Sequence, residues 1–258
     1  MKPFVETIGQ GPDVVMLHGW GLHGGIFAQV VPWLSQKYRV HIVDLPGFGR
    51  SAVPNQAYTM DMLTSQVLDV APSQALWLGW SLGGMLAMHV AASHPDKVQG
   101  LITVAASPRF IQAPDWPHAM KPEVLDQFAG LLLEDYRGTL IRFLAIQTMG
   151  SETQRDDIEF LKTQVFQYGE PAPRALRGGL DILRTTDLRA QIGQITCPWL
   201  RLYGRLDGLV PVKSADDVAA LAPNSQQHIF AKASHAPFIS HPDAFLDVVA
   251  PFLEAACH

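Results

Sequence analysis

Ala75-Leu76-Trp77-Leu78-Gly79-Trp80-Ser81-Leu82-Gly83-Gly84-Met85 is the stretch whose reading decides the fold. Its first four residues form a continuous apolar run, as a strand shows when both faces of its sheet are covered. From Leu82 to Ser93 the residues read as a helix, and His94-Pro95 stops it, because proline disfavours helical geometry at the residue before it. Between strand and helix there is room only for a sharp turn, and Ser81 sits on it. Side chains flanking such a turn would collide with the neighbouring strand and helix, so Gly79 and Gly83 are the residues it needs. A serine hydroxyl becomes a nucleophile when it is exposed, oriented and paired with a base. The turn provides the exposure, and the N-terminus of the following helix favours negative charge developing beside it. The five residues alone are weak evidence; their strand-and-helix context predicts a nucleophile. Gly83-Gly84 does not read as a phosphate cradle, since no P-loop lysine follows and G-x-G-x-x-G is absent here.

The same alternation extends outward. Val14–Leu17 reads as a strand closed by His18-Gly19, Arg39–Val43 as a strand closed by Asp44-Leu45-Pro46-Gly47, and Leu101–Ala106 as the strand after the helix. Ile26–Gln36 has helical spacing, and Pro32 places the helix start near itself. Ser107–Asp187 contains no convincing strand; helical segments are predicted over Pro122–Leu133, Tyr136–Gln147, Thr153–Phe166 and Ala172–Leu183, punctuated by Gly150, Gly169 and Pro171. The first pattern resumes with a strand at Pro198–Tyr203, a helix near Lys213–Leu221, a strand at Gln227–Phe230 and a helix over Pro242–Leu253. Strands joined through helices imply a mostly parallel central sheet flanked by helices, an α/β fold. Residues 1–106 and 188–258 make its core, and 107–187 an all-helical cap inserted into it.

A serine on such a turn in such a sheet resembles the α/β-hydrolase fold, whose catalytic triad follows in chain order serine, acid, histidine. Ten histidines compete for the base. His18, His23 and His41 precede the serine, His89 and His94 lie in or at the end of the helix after it, and His118 lies in the cap. His228 is inside a strand and His258 is terminal. His235 and His241 remain. His241 reads as helix-entry structure, whereas His235 lies in the loop just past the last strand, where a side chain leans over the sheet edge; His235 is the expected base. Asp207, in a glycine-bracketed turn after Pro198–Tyr203, is the expected acid, because sites in open parallel sheets form at that edge. Asp216 and Asp217 fall in the next helix. Asp44 precedes the serine and is expected to satisfy backbone amides of its own loop. The oxyanion of an attacked ester needs preorganised N–H donors, expected from the backbone of Leu82 and of Trp20. His18 is expected to hold the Trp20 loop.

The chain has 258 residues, a formal net charge of −5, 48% hydrophobic and 17% charged residues, which fits a globular protein and offers no basic excess for nucleic acid. Cys197 and Cys257 form neither a disulfide framework nor a metal-site spacing, and read as free thiols. Met1–Thr7 lacks a following apolar segment, and no apolar run approaches the roughly 18 residues of a membrane span. A cytoplasmic monomer without membrane contact, metal or organic cofactor is expected. Phe143–Gln147 gives an apolar helical face with a polar end; it suits the lining of an acyl channel and equally the packing of cap on core. The cap carries 9 Lys/Arg against 12 Asp/Glu, so it has no basic excess of its own.

Several stretches carry a closer resemblance: Leu17–Leu22, Val43–Ser51, Trp77–Gly84 with its Trp-Ser elbow, Arg142–Ala145, Gln147–Gly150, Leu206–Pro211, Phe230–Ala233 and His235–Pro242. Together they span nearly the whole chain, and it is similar in them to the pimeloyl-acyl-carrier-protein methyl ester esterases of biotin synthesis. The resemblance implies cleavage of that methyl ester with release of methanol, by Ser81, Asp207 and His235. It implies substrate contacts at Trp20, Leu82, Phe143 and Gln147. It also implies that acyl carrier protein docks on cap arginines, with Arg142 and Arg155 as the equivalents. Gly138 and Glu159 stand where further arginines are expected, and Arg137 is the substitute for one of them. A broad short-acyl carboxylesterase, a carbon–carbon bond hydrolase and a non-catalytic ligand-binding protein are the alternatives on the same fold.

Overall fold

The computed structural model describes residues 2–257; Met1 and His258 lie outside the described stretch. Among the described residues seven strands form one sheet in the order β1-β3-β2-β4-β5-β6-β7. They are β1 (Val5–Ile8), β2 (Asp13–Leu17), β3 (Arg39–Val43), β4 (Ala75–Trp80), β5 (Val98–Val104), β6 (Trp199–Gly204) and β7 (Gln226–Phe230). Only the β1–β3 pairing is antiparallel; the other five pairings are parallel. All six residues of β4 are buried, as its unbroken apolar sequence requires at the middle of a covered sheet.

The helices, in chain order, are α1 (Val31–Leu34), α2 (Met60–Leu68), α3 (Leu82–Ser93), α4 (Pro122–Glu134), α5 (Tyr136–Thr148), α6 (Gln154–Val165), α7 (Pro173–Thr185), α8 (Arg189–Ile192), α9 (Ser214–Leu221), α10 (Pro237–Ser240) and α11 (Pro242–Ala256). Four of them, α4 to α7, fall between β5 and the short α8 that precedes β6. Where the chain enters and leaves that stretch the two passes are tied together. Leu188 N–H donates to Pro108 O at 2.9 Å, and Arg109 pairs with Asp187 at 2.8 Å.

The helix start expected near Pro32 is where α1 begins, with Pro32 in its first turn, and the helical spacing back to Ile26 falls on a separate element. A 3-10 turn at Gly24–Phe27 precedes the single turn of α1. Side chains fix that turn: His23 Nδ1 accepts from Gly25 N–H at 3.0 Å, and Asp44 Oδ1 accepts from Gly24 N–H at 2.7 Å. With these amides committed, helix starts again only at Val31-Pro32, where proline costs no hydrogen bond. The strand expected over Leu101–Ala106 runs instead from Val98 to Val104, and Ala105 has left the strand at φ 46°. Four elements lay outside the sequence expectations: the short edge strand β1, the single turns α8 and α10, and helix α2. Thr59 signals the last, its hydroxyl accepting from Met62 N–H as an N-cap.

Candidate active site

The carboxyl ends of β2, β4, β6 and β7 bring the expected residues to one edge of the sheet. β4 ends at Trp80 and α3 begins at Leu82, so Ser81 alone makes the turn, at φ 55° and ψ −117°. An L-residue in this region costs roughly 1–3 kcal/mol and persists only where the surroundings over-determine it. Here Ser81 N–H donates to Val104 O at 2.9 Å, and Ser81 O accepts from Met85 N–H at 3.0 Å. A Cβ on Gly79 would strike the Gly83 carbonyl, and one on Gly83 would strike the carbonyls of Leu17 and His18. The turn fits only because both positions are bare.

Asp207 and His235 meet across the ends of β6 and β7. His235 Nδ1 lies 2.7 Å from Asp207 Oδ2, and both side chains are 1% exposed. Asp207 Oδ1 is committed elsewhere, accepting from Leu209 N–H at 2.7 Å and Val210 N–H at 2.9 Å. With a carboxylate as acceptor, Nδ1 carries the proton and Nε2 presents a lone pair. Nε2 is buried without a partner among the described residues. It makes no hydrogen bond to Ser81 in this structure; such catalytic bonds commonly tighten only when substrate arrives. The backbone of His235 is fixed from two sides, its N–H donating to Gln147 O at 3.0 Å and its carbonyl accepting from Trp80 Nε1 at 2.9 Å. Neither contact is visible in local sequence, since Trp80 reaches a partner 155 residues away.

The parallel register Leu17↔Gly79 sets the loop after β2 beside the Ser81 turn. His18 braces that loop: Nδ1–H donates to Gly19 O at 2.7 Å, and Nε2 accepts from Leu45 N–H at 2.8 Å. Both ring nitrogens are thereby used, and burial pushes the imidazole down to about 4 against the pull of nearby Asp44. Burial alone would raise the Asp44 carboxyl, but Arg50 at 2.7 Å, His18 and the amides of Arg50 and Gly24 together hold it below its ordinary value. The backbone N–H groups of Trp20 and Leu82 donate to no group among the described residues, leaving two donors beside Ser81. Also among the described residues, no group of three or more His, Cys, Asp or Glu side chains gathers as a metal site.

The family model of the alpha/beta hydrolase fold matches residues 12–242. Pimeloyl-[acyl-carrier protein] methyl ester esterase of Photobacterium profundum is 50% identical over 249 residues, covering 96% of this chain and 97% of that protein. The esterase of the same name from Aeromonas hydrophila is 46% identical over 254 residues, 98% of this chain and all of its own length. The chain belongs to this esterase family of α/β hydrolases. A solved esterase from Exiguobacterium antarcticum, at 24% identity, superimposes with a TM-score of 0.87 over 98% of this chain and 95% of its own, a likeness of fold.

Helix α5 of this family member crosses the candidate site. Phe143 sets its ring edge-on to Trp20 at 4.8 Å and to Phe128 of α4 at 5.1 Å, an aromatic ladder from the sheet edge into the cap. Gln147, one turn on, is buried, and its side-chain oxygen has no partner among the described residues. The expected arginines divide. Arg142 and Arg155 are exposed. Arg137 instead pairs with Glu170 and lies over the Phe166 ring at 4.9 Å, so its charge is already engaged. Three other histidines are engaged away from Ser81: His41 bonds Asp13 at 2.6 Å, His118 bonds Asp217 at 2.8 Å, and His241 bonds Ser240 at 2.8 Å. No helix among the described residues is long and apolar enough to cross a membrane.

Proposed function

We propose that this chain hydrolyses the methyl ester of pimeloyl-acyl carrier protein, with Ser81 as nucleophile, His235 as general base and acid, and Asp207 as its orienting partner. The observation that carries the reading is the buried Asp207–His235 pair with its free Nε2 at the sheet edge that holds the strained Ser81 turn. Relatives about half identical over nearly the full length, curated under that activity, supply the substrate.

Ser81 Oγ attacks the ester carbonyl while His235 Nε2 takes its proton. The carbonyl oxygen becomes an oxyanion, met by the N–H groups of Trp20 and Leu82. Collapse breaks the bond to the methoxy oxygen, which leaves as methanol with the proton held by His235. Water then attacks the acyl-serine, His235 again taking and returning a proton, and the free carboxylic acid is released. The chemistry asks for no metal or organic cofactor. Phe143 and Gln147 line the acyl path beside Trp20 and Leu82. Residues 1–106 and 188–258 form the catalytic body, 107–187 the cap, and the carrier docks on the cap through Arg142 and Arg155. The protein then works as a monomer in the cytoplasm alongside its carrier substrate.

The test is methanol release from pimeloyl-carrier methyl ester by the purified protein and by Ser81→Ala. Turnover lost by several orders of magnitude in the variant supports the reading. Turnover confined to simple short-chain esters would remove the carrier substrate, and a fully active variant would remove the nucleophile.

A further inference from the structure

Helix α7 carries two adjacent glycines, Gly178 and Gly179, in its interior. Glycine weakens a helix relative to alanine, so a pair of them answers some other demand. The demand is contact with the core. A Cβ on Gly178 would sit 2.5 Å from Tyr58 Cβ. A Cβ on Gly179 would sit 2.6 Å from Trp20 Cδ1, 3.1 Å from Trp20 Nε1 and 3.5 Å from Leu82 Cδ2. One position of a cap helix thus abuts the side chains of both residues read above as oxyanion donors.

The Trp20 indole has no room to yield. Its Nε1–H donates to Leu176 O at 2.8 Å, three residues before Gly179 on the same helix. Phe143 closes on it edge-on at 4.8 Å, and Trp20 is only 1% exposed. Helix α7 is itself seated on the core, with Ala172 N–H donating to Gly47 O at 2.8 Å just before its first turn. An atom added at Gly179 would therefore displace the indole, and the Trp20 backbone with it.

We propose that Gly179 is a positioning residue for the oxyanion donors: its bare α-carbon sets how deeply Trp20 seats, and so where the Trp20 N–H stands relative to the Leu82 N–H. The inference rests on the reading of those two N–H groups given above. It makes part of the cap a component of the oxyanion machinery rather than only a cover for it.

The test compares Gly179→Ala, Gly178→Ala and Ser81→Ala on a soluble p-nitrophenyl ester, recording kcat, KM and Tm. Misplacing a reacting group by about 1 Å costs on the order of 100-fold. Gly179→Ala is therefore expected to lose roughly 10- to 100-fold in kcat, with KM held within about twofold. Gly178→Ala meets Tyr58 instead and is expected to lower Tm while kcat stays within about threefold, a split that general loosening of α7 does not produce. Should Gly179→Ala not fold, Trp20→Phe, which releases the bond to Leu176 O and so unseats the ring, is expected to lose kcat by the same order, and kcat within about threefold of wild type there would overturn the proposal. Wild-type kcat in Gly179→Ala, or parallel loss of kcat and Tm in both glycine variants, would overturn the proposal. Wild-type turnover in Ser81→Ala would overturn the esterase reading beneath it.

Discussion

Replacing Asp207 with asparagine changes one atom, and the structure dictates which way the new amide must face. Asp207 Oδ1 accepts two backbone hydrogen bonds, from Leu209 and Val210, while Oδ2 faces His235 Nδ1. If the amide NH2 took the Oδ1 place, two buried N–H donors would face a third donor, at a cost of about 1–3 kcal/mol for each donor stranded. The asparagine oxygen therefore stays under Leu209 and Val210, and the NH2 faces the imidazole. His235 Nδ1 must then accept, which moves its proton to Nε2, the nitrogen that has to receive the proton of Ser81. The geometry is unchanged and the tautomer is wrong. In a serine protease the same substitution costs about 10⁴-fold in kcat, and a loss of this order, about 5 kcal/mol in the barrier, is expected here. The assay is single-turnover ester cleavage alongside ¹⁵N NMR of the histidine ring and thermal unfolding. A kcat within tenfold of wild type, or a ring proton still on Nδ1 in the variant, would refute the reasoning.

Three further perturbations probe other parts of the molecule. His18, neutral and held near 4 by burial, binds fewer protons when folded than when unfolded at about 6.5, so its contribution is complete above pH 6.5 and is lost as pH falls toward 4. Urea unfolding of the wild type is expected to show roughly 3 kcal/mol of this loss, and His18→Gln a visibly flatter profile over the same window. Asp44→Ala leaves Arg50 with Glu6 as its remaining partner but strands the amides of Gly24 and Arg50, and is expected to cost about 2–4 kcal/mol in chemical denaturation. Reversing both Arg142 and Arg155 to glutamate is expected to lower kcat/KM for the carrier-bound ester relative to a short soluble ester by about tenfold at low salt. The difference shrinks as ionic strength rises; Arg137→Ala, already spent on Glu170, shifts the ratio little.

What the sequence made legible follows from how local each constraint is. β2, β4 and β6 were readable to within a few residues, because a strand covered on both faces is a largely apolar run, and Arg39–Val43 and Leu82–Ser93 have the expected bounds. The Ser81 turn was readable because its steric demand falls on Gly79 and Gly83, within two residues of it. Strand β1 was not, since a four-residue antiparallel edge strand of half-buried and exposed residues carries no such signal. The helix start near Pro32 was readable from the proline, whereas the 3-10 turn before it was not, since it is seated by bonds from Gly25 to His23 and from Gly24 to Asp44, the latter closing over 20 residues of chain. The same distance rule separates the site residues. Asp207 and His235 could be chosen because each follows a strand whose end the fold places at one edge. The bonds that orient them could not: Trp80 to the His235 carbonyl, Gln147 O to the His235 amide, and the seat of Trp20 on Leu176 and Gly179 all join positions remote in the chain. A reacting atom is specified by its neighbours in sequence, but its aim is specified by neighbours in space. On the proposal above, the cap acts on the oxyanion donors through a glycine, a residue whose sequence reading is only a weakened helix and whose role lies in the side chain it lacks.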